Sequence, residues 1–125
     1  MAKVLIVDDE SSYLHYISAH LVREGHEVET AASGEEGIRV GFTFAPDLLI
    51  ADWLLEDDGA GIRVAEVLRQ RNPALRTILI TGFSSEQVRE KAASSHVFCY
   101  VEKPFDMDEL AGAVREALAT GLPGD

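Results

Sequence analysis

The stretch that decides the fold is Leu48-Leu49-Ile50-Ala51-Asp52, in which four apolar residues end in a carboxylate. Pro46-Asp47 precedes it and is typical of a turn. An apolar run of this length, bounded by turn residues, predicts a strand buried on both faces of a sheet. Asp52 then stands where the strand leaves the sheet. Open parallel α/β sheets bind ligands at this end of their strands, so we expect Asp52 to be a reactive group.

Other segments of the chain also read as strands. Three are mainly apolar and lead into polar residues: Lys3 to Val7, Thr77 to Thr81 and Val97 to Val101. Glu27 to Ala31 alternates polar and apolar residues instead, which favours a half-exposed edge strand.

Segments with helical periodicity separate these strands. The predicted helices are Ser11 to Arg23, a helix opened by the capping box Ser33 to Glu36, Ile62 to Gln70, Ser84 to Ser94, and a last helix opened by the capping box Asp106 to Glu109. Gly37 and Gly41 lower the helix propensity of the second. The fourth has few apolar residues and is the least well anchored.

Five alternations of strand and helix predict a parallel sheet with helices on both faces. We expect a flavodoxin-like (βα)5 three-layer sandwich with strand order 2-1-3-4-5, which puts the half-polar second strand at an edge. We assign residues 1–120 to one domain and 121–125 to a short tail.

Composition restricts the function. The 125 residues are 46% hydrophobic and carry a formal net charge of -11. Phosphate backbones and anionic lipids would repel such a surface, so we expect no direct binding to nucleic acid or membrane. The single cysteine, Cys99, excludes an intramolecular disulfide and is expected to be a small buried hydrophobe. We expect a cytoplasmic protein.

The polar residues at the strand ends should meet at one edge of the sheet. They are Asp8, Asp9, Asp52, Thr81 and Lys103. Three neighbouring carboxylates need a counter-charge, which Mg²⁺ or the ammonium of Lys103 could supply. The hydroxyl of Thr81 adds a donor for an oxyanion. These groups suit phosphoryl transfer to a carboxylate, with Asp52 as the nucleophile.

The sequence resembles the receiver domain of two-component response regulators over Lys3 to Leu118. The resemblance rests on four motifs: Val4-Leu5-Ile6-Val7-Asp8-Asp9-Glu10, Asp47-Leu48-Leu49-Ile50-Ala51-Asp52, Ile78-Leu79-Ile80-Thr81-Gly82 and Tyr100-Val101-Glu102-Lys103-Pro104-Phe105. It implies that Asp52 is the phospho-acceptor. It also implies that Asp8, Asp9, Asp52 and the backbone carbonyl of Leu54 bind Mg²⁺.

The resemblance further implies a switch. Thr81 is similar to the family's switch hydroxyl, and Tyr100 to the aromatic that swings inward when this hydroxyl engages the phosphoryl group. Lys103 corresponds to the lysine that pairs with phosphoaspartate, and the Lys103–Pro104 bond is expected to be cis. The loop Glu56-Asp57-Asp58 departs from the family pattern, since the first of these positions is often proline.

The function implied is that of a phosphorylation-activated signalling switch rather than an enzyme. A sensor histidine kinase or histidine phosphotransfer protein would donate the phosphoryl group, and a changed surface of helix 4, strand 5 and helix 5 would act on a protein target or output domain. The chain would be a monomer or a weak phosphorylation-dependent dimer. An alternative is a non-phosphorylated pseudo-receiver, which would serve only as an interaction module.

Overall fold

The predicted alternation of strands and helices is present in the computed structural model, which describes residues 2–55, 60–82 and 86–119. The elements are β1 (Lys3–Val7), α1 (Ser11–Arg23), β2 (Glu27–Ala31), α2 (Gly34–Phe44), β3 (Leu48–Asp52), α3 (Ala60–Arg71), β4 (Arg76–Thr81), α4 (Glu86–Ser94), β5 (Cys99–Glu102) and α5 (Met107–Ala119). The strands are parallel in the order β2-β1-β3-β4-β5. The flavodoxin-like fold and its strand order are therefore confirmed.

The central strand β3 is buried at every position, as its apolar run predicts. Ile50 contributes to a core cluster with Ile17 of α1 and Leu110 of α5, whereas Leu49 packs with Leu68 of α3 on the other face. Burying an apolar side chain of this size contributes about 1.5–3 kcal/mol. The strand is thus packed on both faces, and this packing fixes the position of Asp52 at its carboxyl end.

The edge position of β2 is also confirmed. The strand pairs with β1, and Glu27 and Glu29 are exposed while Val28 is half-buried. Helices cover an edge strand only in part, so its polar side chains can stay in solvent.

The glycines of α2, which lower its helix propensity, also have a packing role. A Cβ on Gly37 would lie 2.8 Å from Val7 Cγ2, and one on Gly41 would lie 2.7 Å from Leu68 Cδ1. The missing side chains therefore let α2 pack closely on β1 and α3. This packing acts against the low helix propensity of the two glycines.

The prediction for β5 is shifted by two residues at its start and one at its end. Val97 lies outside the strand, although the backbone N–H of Phe98 donates to the carbonyl of Thr77 at 2.8 Å. Cys99 is half-buried rather than buried, because β5 is an edge strand. The predicted tail 121–125 lies outside the described residues. Within the described ranges, no helix has the length and apolar character that a membrane crossing requires.

Candidate functional site

Asp52 lies at the carboxyl end of β3 with its side chain 6% exposed. One carboxylate oxygen, Oδ1, accepts a hydrogen bond from the backbone N–H of Leu54 at 3.3 Å. The other, Oδ2, lies 3.1 Å from Nζ of Lys103. The position predicted from the strand pattern to be reactive is thus a buried carboxylate next to the Lys103 ammonium.

The predicted convergence of carboxylates at this edge of the sheet is present. Asp8, Asp9, Glu10 and Asp52 each place an oxygen within 4.8 Å of the others. Asp8 is fully buried, and its Oδ1 accepts from the backbone N–H of Glu10 at 2.9 Å. Its Oδ2 forms an ion pair with Lys103 Nζ at 3.0 Å but accepts no hydrogen bond in the described part of the chain.

Lys103 follows β5 and reaches across the sheet edge. Its backbone N–H donates to the carbonyl of Thr81 at 2.8 Å, and the peptide bond to Pro104 is cis, as predicted. Burial alone would lower the pKa of the Lys103 ammonium, but the contacts with Glu10 and Asp8 and the charge of Asp52 raise it above its ordinary value. Lys103 is therefore a permanent cation in the site.

The same environment acts in the opposite sense on Asp52. Burial and the neighbouring charge of Asp8 raise the pKa of the Asp52 carboxyl from 3.8 to about 6, although Lys103 and the Leu54 N–H both lower it. One ammonium therefore does not fully compensate the buried carboxylates.

These residues fit a hard divalent cation. Oδ2 of Asp8 is a buried anionic oxygen without a hydrogen-bond donor in the described ranges, and Asp9 offers an exposed carboxylate beside it. Carboxylate oxygens are the ligands that Mg²⁺ prefers in proteins. Leu54 is exposed, and its carbonyl as a further ligand stays a prediction.

The two predicted switch residues lie on adjacent strands. Thr81 is buried at the end of β4 and is in register with Glu102. Tyr100 is half-buried and packs against a cluster that includes Trp53 and Val88. Their movement on phosphorylation stays a prediction.

Some residues of the site were missed from the sequence. A Cβ on Gly61 would collide with the backbone carbonyl of Asp52, so this glycine lets the first turn of α3 approach the end of β3. Glu10 and Tyr13 both contact the ammonium of Lys103. A glycine at the start of a helix next to the site was a usable signal for Gly61, but no pattern in the sequence pointed to Tyr13. The loop 56–58, which departs from the family pattern, lies outside the described residues.

Comparison with known proteins agrees with the fold. The family model "Response regulator receiver domain" matches residues 4–115, and the chain belongs to this family. The transcriptional regulatory protein GlrR of Escherichia coli K12 is 34% identical over 98% of this chain and 27% of its own length. The chain thus spans about a quarter of the length of the first curated relatives that it matches.

Two solved structures are similar over nearly the whole chain. A CheY-like receiver domain protein from Methanospirillum hungatei has a TM-score of 0.88 and 28% identity, covering 95% of this chain and 94% of that one. The response regulator protein TrrA from Thermotoga maritima, solved in complex with Mg(2+)-BeF, has a TM-score of 0.80 and 31% identity, covering 94% and 99%.

Proposed function

We propose that this receiver domain is a phosphorylation-activated switch that accepts a phosphoryl group on Asp52 from a phosphohistidine of a kinase or phosphotransfer protein. The observation that carries the proposal is the buried Asp52 carboxylate, 3.1 Å from the Lys103 ammonium and beside a cluster of further carboxylates. This carboxylate lies next to a cation and to carboxylates that can bind a metal ion. Phosphoryl transfer requires such groups, because they stabilise the negative charge of the transferred group.

The chemistry is a displacement at phosphorus. An oxygen of the Asp52 carboxylate attacks, a new O–P bond forms, and the N–P bond of the phosphohistidine breaks with its electron pair passing to the imidazole nitrogen. Lys103 donates hydrogen bonds to the phosphoryl oxygens, and the Thr81 hydroxyl donates another. With its pKa raised to about 6, Asp52 is mostly ionised at neutral pH and can act as the nucleophile.

Asp8, Asp9, Asp52 and the carbonyl of Leu54 would hold Mg²⁺. The bound ion would neutralise charge on the phosphoryl oxygens. The buried, undonated Oδ2 of Asp8 supports this assignment, and so does the Mg(2+)-BeF complex of the relative TrrA.

The new phosphoryl group would draw the Thr81 hydroxyl inward, and Tyr100 would move into the space that Thr81 vacates. The surface of α4, β5 and α5 would then change. Within Glu86–Ser94, α4 buries the side chains of Val88 and Ala92, so a modest change in free energy can shift this helix.

The partners follow from this mechanism. A sensor histidine kinase or histidine phosphotransfer protein supplies the phosphoryl group, and a protein target or output domain reads the changed surface. GlrR, a transcriptional regulatory protein of which the match covers 27%, supports the output-domain arrangement. We propose a cytoplasmic domain that is monomeric or dimerises weakly when phosphorylated, and that assists its own phosphorylation and dephosphorylation.

The direct experiment is intact mass spectrometry after incubation with acetyl phosphate and Mg²⁺. We expect the mass of one phosphoryl group on the wild type and none on Asp52→Asn. Failure of the wild type to gain this mass, together with an absence of any Mg²⁺ effect on Trp53 fluorescence, would favour the pseudo-receiver alternative.

A further inference from the structure

The ammonium of Lys103 has more partners than phosphoryl binding requires. Its Nζ lies 2.8 Å from Glu10 Oε1, 3.0 Å from Asp8 Oδ2 and 3.1 Å from Asp52 Oδ2. It also lies 4.2 Å from the centroid of the Tyr13 ring. Asp8 and Asp52 already belong to the proposed reaction, whereas Glu10 and Tyr13 have had no role in it.

Both additional partners come from the start of α1 and are fixed there. Glu10 is the N-cap residue of α1, its N–H donates to Asp8 Oδ1 at 2.9 Å, and its carbonyl accepts from the N–H of Tyr13 at 3.0 Å. The ring of Tyr13 in turn packs against Phe105, with the ring centroids 5.5 Å apart. Phe105 lies two residues after Lys103, so the same short segment carries the ammonium and a support for the ring that faces it.

We propose that Tyr13 is a positioning residue that holds the Lys103 ammonium in place for the phosphoryl group, and that Glu10 binds this ammonium only until the phosphoryl group arrives, an inference that rests on the proposed function. Tyr13 fixes the ammonium through the face of its ring, which attracts cations. Glu10 is the exchangeable partner, which Lys103 releases when phosphoryl oxygens arrive.

The exchange follows from the crowding of carboxylates around the ammonium and from their different burial. An ammonium has three N–H groups, and three carboxylates surround it. Three carboxylates already crowd this cation within 3.1 Å, so an arriving phosphoryl group displaces the one that leaves most easily. The side chains of Asp8 and Asp52 are 0% and 6% exposed, so losing the cation there would leave a buried charge uncompensated. The side chain of Glu10 is 55% exposed and can be hydrated after Lys103 leaves it.

Tyr13 is tested with a conservative and a disruptive substitution. Tyr13→Leu keeps an apolar side chain but removes the ring face, while Tyr13→Phe keeps the ring and removes the hydroxyl. Tyr16→Leu is the matched control, since Tyr16 is on the same helix and 48% exposed. In the wild type without phosphodonor, the ε-methylene NMR signals of Lys103 should show an upfield ring-current shift. Tyr13→Leu should abolish that shift, and Tyr13→Phe and Tyr16→Leu should retain it.

Phosphorylation rates are then measured against acetyl phosphate concentration in the presence of Mg²⁺. Tyr13→Leu should lower the maximal rate about three- to tenfold, the range of a partly desolvated cation–π contact, and Tyr13→Phe should restore it to within about twofold. Glu10→Gln should raise the second-order rate constant up to about fivefold, the limit that an exposed ion pair supports, because Lys103 is released more easily.

The outcomes separate this inference from the proposed function. Absence of the ring-current shift in the wild type overturns the contact itself. A phosphorylated wild type whose Tyr13→Leu and Glu10→Gln variants react at unchanged rates overturns the positioning role and leaves the proposed function standing. A wild type that is never phosphorylated overturns the proposed function, and the positioning role falls with it. Thermal unfolding of each variant identifies a loss of rate that comes from misfolding.

Discussion

Replacing Asp52 with asparagine removes a carboxylate whose charge the folded protein disfavours. Burial and the charge of Asp8 raise its pKa from 3.8 to about 6 in the folded state. The unfolded chain has the ordinary value, so the folded state binds this proton more tightly. In the wild type, the free energy of unfolding therefore falls as pH rises from about 4 to about 6. Above that range the ionisation of Asp52 lowers it no further.

The size of the effect follows from the two pKa values. At about 1.4 kcal/mol per pH unit, the interval between 3.8 and about 6 corresponds to about 3 kcal/mol as an upper limit. Asparagine carries no charge at any of these pH values. We expect Asp52→Asn to unfold with a free energy about 1–3 kcal/mol higher than the wild type at neutral pH, and with little difference near pH 4.

The assay is urea unfolding followed by circular dichroism, in chelator-treated buffer at about pH 7.5 and about pH 4. Asp108→Asn is the matched control, since Asp108 is an exposed aspartate in the first turn of α5. The control should lose a few tenths of a kcal/mol at most, from its place near a helix N-terminus. An Asp52→Asn variant that gains nothing at pH 7.5, or gains equally at both pH values, would refute the reasoning.

Three further predictions concern the surroundings of this carboxylate. Gly61→Ala should lower the free energy of urea unfolding by about 1–3 kcal/mol, because its Cβ would strike the carbonyl that ends β3. As the control, Gly112→Ala should raise this free energy by up to about 1 kcal/mol, since among the described residues its Cβ would meet only Arg115, at 3.9 Å. Lys103→Met should lower it by about 3 kcal/mol at neutral pH, since buried carboxylates lose their cation; equal stability to the wild type would contradict this. Mg²⁺ should change the fluorescence of the buried Trp53, and Asp8→Asn should lower the affinity for Mg²⁺ in this titration at least tenfold. An unchanged affinity would exclude Asp8 as a ligand.

The fold was predictable because its signals are local. The apolar run that forms β3 is buried on both faces, and the alternation of Glu27, Val28 and Glu29 marks an edge. The ends of β5 were less predictable, because Val97 and Phe98 are as apolar as the strand that follows and hydrogen bonding alone decides where it begins.

Residues of the site could be predicted from the sequence only where they stand at the end of a strand. Asp8, Asp52 and Lys103 each stand at the end of a strand, and parallel strands bring these ends together. The contacts of Glu10 and Tyr13 depend on side-chain directions at the first turn of α1, which sequence spacing does not fix.

The glycines of α2 show the same limit of prediction from sequence. Gly37 and Gly41 have low helix propensity in isolation, and only the neighbouring Val7 and Leu68 reveal that a missing side chain improves packing there. A propensity describes one residue in its own segment, whereas close packing depends on what lies opposite.

The central claim is that the phosphoryl group is carried by the side chain of Asp52. The most direct measurement is reduction of the acyl phosphate with borohydride after treatment with acetyl phosphate and Mg²⁺, followed by tandem mass spectrometry of the peptides. The account predicts a reduced side chain at position 52 and at none of the neighbouring carboxylates. Reduction at Asp8, Asp9 or Glu10 with Asp52 unchanged, or no reduced residue in a protein that binds Mg²⁺, would contradict it.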